Sequence, residues 1–204
     1  MRILFVWIVL CFCCFSESRA QEKRKYSVLI SVFSNSTALP GNGLPGTLHA
    51  PLHPGFTAGL VKDYKRTEKH QLYQTFRLGY FYQHYVQHAI QLYSEAGYRY
   101  NLKCGLGFYS QLGAGYVHSF QDQQKFILKD GEYKKQFPIG RPQVMISFTP
   151  GISYDLEKKC GSPVMLFASY QLWFQLPFVR QYVPVLPNAS LHLGAIISLK
   201  RKGA

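Results

Sequence analysis

Three ionisable residues, Arg77, Glu95 and Arg99, fall on the polar side of neighbouring extended segments. Ionisable groups enclosed in a low dielectric are costly unless they pair, so an Arg–Glu–Arg cluster would serve either as a proton or ion path or as a structural plug. The plug is the expected role, with Gln91, Gln111, Gln171, Ser147 and His192 completing a polar interior. His49, His53, His84, His88 and His118 gather near one predicted rim, where a His beside a Ser or an acid could activate water or a hydroxyl. His118 and Ser119 are adjacent, and adjacent strand residues point to opposite faces, so they form no dyad without a bulge. His84 or His88 could approach Asp122. No tight ligand spacing is present, so neither a metal site nor a cofactor is expected. Cys104 and Cys160 lie in two short turns at the same predicted end and are candidates for a disulfide, the alternative being two unpaired thiols.

The segments that must position these groups are strands. From Tyr85 to Phe120, Ile90, Leu92, Ala96, Tyr98 and Tyr100 share one parity, broken only by Ser94, while Gln91, Tyr93, Glu95, Gly97 and Arg99 share the other. After the turn at 101–104, Leu106, Phe108, Leu112, Ala114 and Tyr116 continue the apolar side. A period of two with one apolar face is a strand pattern, and arms of about a dozen residues exceed the usual five or six and match the ~9–11 that cross a bilayer at a tilt. Equivalent patterns occur at 26–33, 55–64, 71–82, 143–156, 164–175 and 188–199, giving eight predicted strands. Pro150 removes a ladder donor and predicts a bulge beside Gly151. The connections 35–54, 121–142 and 176–187 are long and mostly fall at one end; 65–70, 101–104 and 157–163 are short. Tyr64, Tyr82, Tyr85 and Tyr116 sit at strand ends, as in an interfacial girdle.

Met1-Arg2, an apolar run from Ile3 to Phe15 and a small-residue end predict a signal peptide over 1–20, with Gln21 as the new N-terminus. A lipoprotein signal acylated at Cys11, Cys13 or Cys14 is the lesser alternative. Residues 21–204 then form one domain. No apolar run after Phe15 approaches the ~18 residues of a membrane helix. Removing Arg2, Arg19 and Glu17 from the 23 basic and 10 acidic residues leaves 21 and 9, a net of +12. Export removes nucleic acid as the native partner of that charge and leaves anionic headgroups or lipopolysaccharide phosphates. Lys125, Lys129, Lys134, Lys135 and Arg141, in the long connection 121–142, are the candidate lipopolysaccharide contacts.

The last strand carries His192, Gly194, Ile197 and Leu199 at the positions of the C-terminal assembly signal that bacterial outer-membrane barrels present to their assembly machinery; it departs from that signal in ending on Lys200 to Ala204 rather than on an aromatic residue. The whole pattern resembles the small barrels typified by the OmpA transmembrane domain and OmpX, and is similar to outer-membrane β-barrel proteins of Bacteroidota. The resemblance implies an all-β fold, a single eight-stranded antiparallel up-and-down transmembrane barrel in the bacterial outer membrane, with short turns in the periplasm and long loops outside. An eight-stranded interior is just filled by side chains, so no open pore is expected. The chain is then expected to be a monomeric, non-enzymatic envelope or surface-interaction protein contacting outer-membrane lipids, lipopolysaccharide and the barrel-assembly machinery. Two alternatives stand beside it. A lipid A-modifying enzyme is one, although the His-x-Ser pattern of the deacylase barrels appears here only reversed, as Ser190-Leu191-His192. A secreted lipocalin-like lipid carrier is the other; it requires apolar residues inside, and its family's Gly-x-Trp start is missing after Tyr26.

Overall fold

The computed structural model describes residues 26–37, 52–84, 86–122, 140–156, 162–178 and 184–199 with their side chains, and the backbone of 125–129 and 132–136. The predicted signal peptide and Cys160 lie outside the described residues.

Alternation of side-chain character extends each segment into a long strand. In chain order these are β1 (Tyr26–Thr37), β2 (Pro54–Arg66), β3 (His70–Gln83), β4 (Gln87–Asn101), β5 (Leu106–Gln121), β6 (Lys125–Lys129), β7 (Glu132–Gln136), β8 (Arg141–Asp155), β9 (Val164–Leu176) and β10 (Leu186–Ser198). Eight of them close a barrel in the order β1-β10-β9-β8-β5-β4-β3-β2, every neighbour antiparallel, and β6 pairs only with β7. Closure leaves no edge strand in the barrel, so its ladder groups are paired within the wall.

The two faces of that wall are inverted relative to a water-soluble protein. Arg77, Glu95, Arg99, eight glutamines and seven serines are buried in the interior. Ile30, Val32, Leu60, Leu78, Leu92, Leu112, Ile146 and Leu193 stand exposed on the outside. The parity expected along β4 and β5 is the one observed.

Inside, five of the large side chains fit because each lies directly opposite a glycine on the next strand. Arg77 is paired with Gly59, Glu95 with Gly113, Tyr93 with Gly115, Tyr73 with Gly97 and Tyr109 with Gly151. A Cβ added at Gly113 would meet the Glu95 side chain and the Ser94 carbonyl; one at Gly115 would meet Tyr93 and the Leu92 carbonyl. Interiors of small barrels alternate small with large residues for this reason.

Three local features differ from the sequence reading. The connection 121–142 contains the β6–β7 hairpin instead of plain loop. Its hairpin signal was Asp130-Gly131 between the two short runs, hidden by the surrounding charge. No bulge forms at Pro150: β5 stays in register through Ser110↔Pro150, and on the other side β8–β9 pairing skips Thr149 and Pro150 without shifting. A proline lacking the donor needs only a missing rung, not an extra residue. The bulge lies instead in β2, at Tyr64, between Asp63 and Lys65.

Replacing Gly115 by valine should therefore destabilise the barrel by about 1–3 kcal/mol through overpacking against Tyr93. Urea unfolding of the protein in lipid vesicles, followed by the fluorescence of buried Trp173, measures this; an unchanged midpoint would show that the interior has slack at that level.

Candidate functional site

Glu95 lies midway along β4 and is completely buried, as is Arg77 across the β3–β4 ladder. Arg77 Nη2 stands 3.3 Å from Glu95 Oε2. The other carboxylate oxygen, Oε1, accepts hydrogen bonds from Ser147 Oγ (2.8 Å), Thr149 Oγ1 (2.8 Å) and Gln171 Nε2 (3.1 Å). Arg77 Nη2 also donates to Gln111 Oε1 at 2.7 Å, and Gln111 Nε2 donates to the Tyr73 hydroxyl at 2.7 Å. A buried ion pair recovers its desolvation cost only when such additional bonds satisfy its remaining atoms. Here β5, β8 and β9 supply them in part: Glu95 Oε1 and Arg77 Nη2 are bonded, while Arg77 Nε and Nη1 have no hydrogen-bond partner and Glu95 Oε2 has only the ion pair.

The expected three-membered cluster divides. Arg99 is four residues along β4 from Glu95, roughly 13 Å away along the strand, and turns to the residue directly opposite it, Gln71. Its Nη1 donates to Gln71 Oε1 at 3.0 Å, and Gln71 Nε2 passes the contact on to Asp63 Oδ1 at 2.8 Å. The guanidinium packs against two aromatic faces, 4.8 Å from the centre of Tyr73 and 5.3 Å from that of Tyr109. Arg is suited to this because its planar cation is weakly hydrated and stacks. The aromatic cradle is a feature the sequence reading missed; its signal was that Tyr73 and Tyr109 share the polar parity.

His192 joins the same network from β10. Its Nε2 lies 3.2 Å from Gln171 Oε1, an atom that only accepts, so Nε2 carries the proton and Nδ1 faces Ser31 Oγ at 3.4 Å. Ser31 Oγ in turn contacts Thr57 Oγ1 at 2.5 Å, and the imidazole stacks on Phe33 with 4.5 Å between ring centres. Gly194 also faces inward, beneath the Phe167 ring, whereas Ile197 and Leu199 are exposed outside. Nearer the long-loop end a second belt is made of amides: Gln87 and Gln175 exchange hydrogen bonds at 3.1 and 3.2 Å, Gln175 reaches Gln143 at 2.6 Å, and Ser119 donates to Gln143 at 2.7 Å.

The rim histidines are arranged differently. His118 faces outward, 2.7 Å from the Tyr116 hydroxyl, while Ser119 faces inward, so the adjacent pair forms no dyad. His84 and Asp122 both meet the Tyr82 hydroxyl, at 3.0 and 2.9 Å. His88 packs on Phe120, and His53 Nδ1 lies 3.1 Å from the Asn35 carbonyl. Ser190 shares the inward face with His192 but bonds Asn35 Oδ1 at 2.7 Å and accepts from Trp173 Nε1 at 3.0 Å. Among the described residues, no three His, Cys, Asp or Glu side chains converge as metal ligands. Cys104 is exposed in the β4–β5 turn, and its candidate partner Cys160 lies outside the described residues. Arg141 opens β8 and donates to the Phe178 carbonyl at 3.4 Å; Lys125, Lys129, Lys134 and Lys135 fall on the β6–β7 hairpin, whose side chains are outside the described set.

Truncating Glu95 to alanine should cost about 3–5 kcal/mol, because it leaves Arg77 buried without its counter-charge. The double variant Arg77→Met/Glu95→Leu should recover most of that loss. Vesicle unfolding midpoints compare the two, and a single variant as stable as the parent would show that the pair is not closely coupled.

No protein-family model matches the chain, and no curated protein sequence does either. Solved structures do match. Neisserial surface protein A aligns at 13% identity and a TM-score of 0.51, covering 86% of this chain and 97% of that one. Ail, the attachment invasion locus protein of Yersinia pestis, crystallised with the heparin analogue sucrose octasulfate, aligns at 13% identity and a TM-score of 0.50 over 87% of this chain and all of its own. The outer membrane enzyme PagL aligns with a TM-score of 0.46 and 11% identity. The chain has the fold of the small eight-stranded outer-membrane β-barrels.

Proposed function

We propose that this chain is a non-enzymatic integral barrel of the bacterial outer membrane with an envelope or surface-interaction role. The observation that carries this reading is the height of its apolar exterior. Outward rows run from Tyr82, His88 and Phe120 down to Leu72, Tyr98 and Ser110, ten residues apart along β3. At roughly 3.4 Å per residue and a tilt of about 40°, that is a band ~26 Å tall. It matches the ~25 Å hydrocarbon band of transmembrane barrels and is bounded by aromatic residues at both margins. Water offers no reason to expose Leu92, Leu112, Ile146 and Leu193 while enclosing Arg77, Glu95 and Arg99. A lipid carrier of the soluble type would need the opposite arrangement.

Short turns and the Tyr26 and Leu199 ends then lie in the periplasm, and the β6–β7 hairpin lies outside the cell. Lys125, Lys129, Lys134, Lys135 and Arg141 would rest on lipopolysaccharide phosphates, an attraction that weakens with salt. The Arg77–Glu95 network acts as a plug, holding opposite walls together.

Heating should shift the folded protein on a denaturing gel, and Leu92→Arg, near the middle of the band, should cost about 2–4 kcal/mol when the protein folds into vesicles. A protein that is soluble without detergent, or an arginine tolerated at no cost, would contradict membrane insertion. The enzymatic alternative has one feature in its favour, the Tyr82–His84–Asp122 contacts at the rim. Mass spectrometry of lipid A from cells with and without the protein should give identical acyl patterns; a changed pattern would favour the enzyme.

A further inference from the structure

On the outer surface, β2, β3 and β4 interrupt their own apolar rule. Lys62 and Gln74 are directly paired and both face outward, as does Ser94. Gln74 Nε2 donates to Ser94 Oγ at 2.8 Å, the Tyr64 hydroxyl donates to Gln74 Oε1, and the Lys62 ammonium lies over the Tyr64 ring, 5.2 Å from its centre. Lys62 and Gln74 stand two residues above the Leu72–Tyr98 row at the apolar band's lower margin, within the reach of a long lysine side chain. This is snorkelling with a fixed destination.

Alongside, across β9, β10, β1 and β2, the same surface is indented by a groove of about 690 Å³, within the ~300–1,000 Å³ range of small-molecule sites. Its floor is low because Ala58, Gly194 and Ala195 carry little side chain, and Ile30, Val32, Phe56 and Leu193 form its walls. Ala58 is four residues above Lys62 on β2, so the groove begins roughly 10 Å higher in the membrane than the β2 position that bears the cation. A cation at interface depth with an apolar channel above it is complementary to an amphiphile with an anionic head.

We propose that this surface binds one anionic glycerophospholipid of the periplasmic leaflet, its phosphate on Lys62, and one acyl chain rising into the groove over Ala58 and Ala195. The site rests on the membrane reading above.

The test uses the folded protein in vesicles of phosphatidylethanolamine with phosphatidylglycerol, released into mild detergent and examined by native mass spectrometry. The parent should retain one phosphatidylglycerol. Lys62→Met should reduce that retention about fivefold, the effect of one interfacial cation, and Ala195→Phe, which fills the groove from the outer face, should reduce it comparably. Lys69→Met, in the turn, should leave it unchanged. Heat-modified gel mobility reports insertion independently. Equal lipid retention by all inserted variants, or none by the parent, overturns the lipid site and leaves the membrane reading standing; failure of the parent to insert overturns both.

Discussion

Eight tilted strands enclose a space that side chains alone must fill, and the structure follows from how this chain fills it. The inward positions are neither uniformly large nor uniformly apolar. Arg77, Tyr73, Tyr93, Glu95 and Tyr109 each project across a glycine on the neighbouring strand. This complementarity ties strand register to lumen packing. A slip of one residue along β4–β5 would send Glu95 into hydrocarbon and put Leu92 inside, while a slip of two would set Glu95 against Gln111 in one direction and leave Gly113 facing Gly97 across an open gap in the other. Register, closure and burial of charge are therefore one condition met by the same residues.

Within that packing the electrostatics have a definite order. Glu95 is the single carboxylate at the centre of the lumen and collects donors from Arg77, Ser147, Thr149 and Gln171. Arg99 has no such carboxylate opposite it and is accommodated by an amide and two phenol rings. Two buried cations are thus stabilised by different means, one by charge and one by polarisable surface. Because the bonds to Glu95 come from strands on opposite sides of the barrel, they act as cross-braces.

Much of this was legible in the sequence because a strand's period of two is strict. The alternation at Gln91–Arg99 assigns both faces of β4, and Ser94 is the one outward polar residue of that stretch, the one that bonds Gln74 beside Lys62. What could not be read was which inward residues meet. Arg77, Glu95 and Arg99 carry charges that suggest a single cluster, but register decides, and it gives Arg99 to Gln71. The missing donor of Pro150 predicts a bulge, yet the ladder simply omits that rung, while the bulge at Tyr64 carries neither proline nor glycine to announce it. The β6–β7 hairpin was masked by lysines that dominated the reading of its segment.

The central claim is that odd-numbered residues of β4 face a sealed polar lumen and even-numbered ones face hydrocarbon. Nitroxide labels placed one at a time at residues 89–99, in a background with Cys104 and Cys160 replaced by serine and the protein in vesicles, test it directly. The labels at even positions should be reached by oxygen and shielded from a water-soluble nickel complex, and those at odd positions shielded from both, with a period of two throughout. Access of the nickel complex to position 92, with oxygen reaching the odd positions instead, would contradict the assignment of the two faces and with it the account built on them.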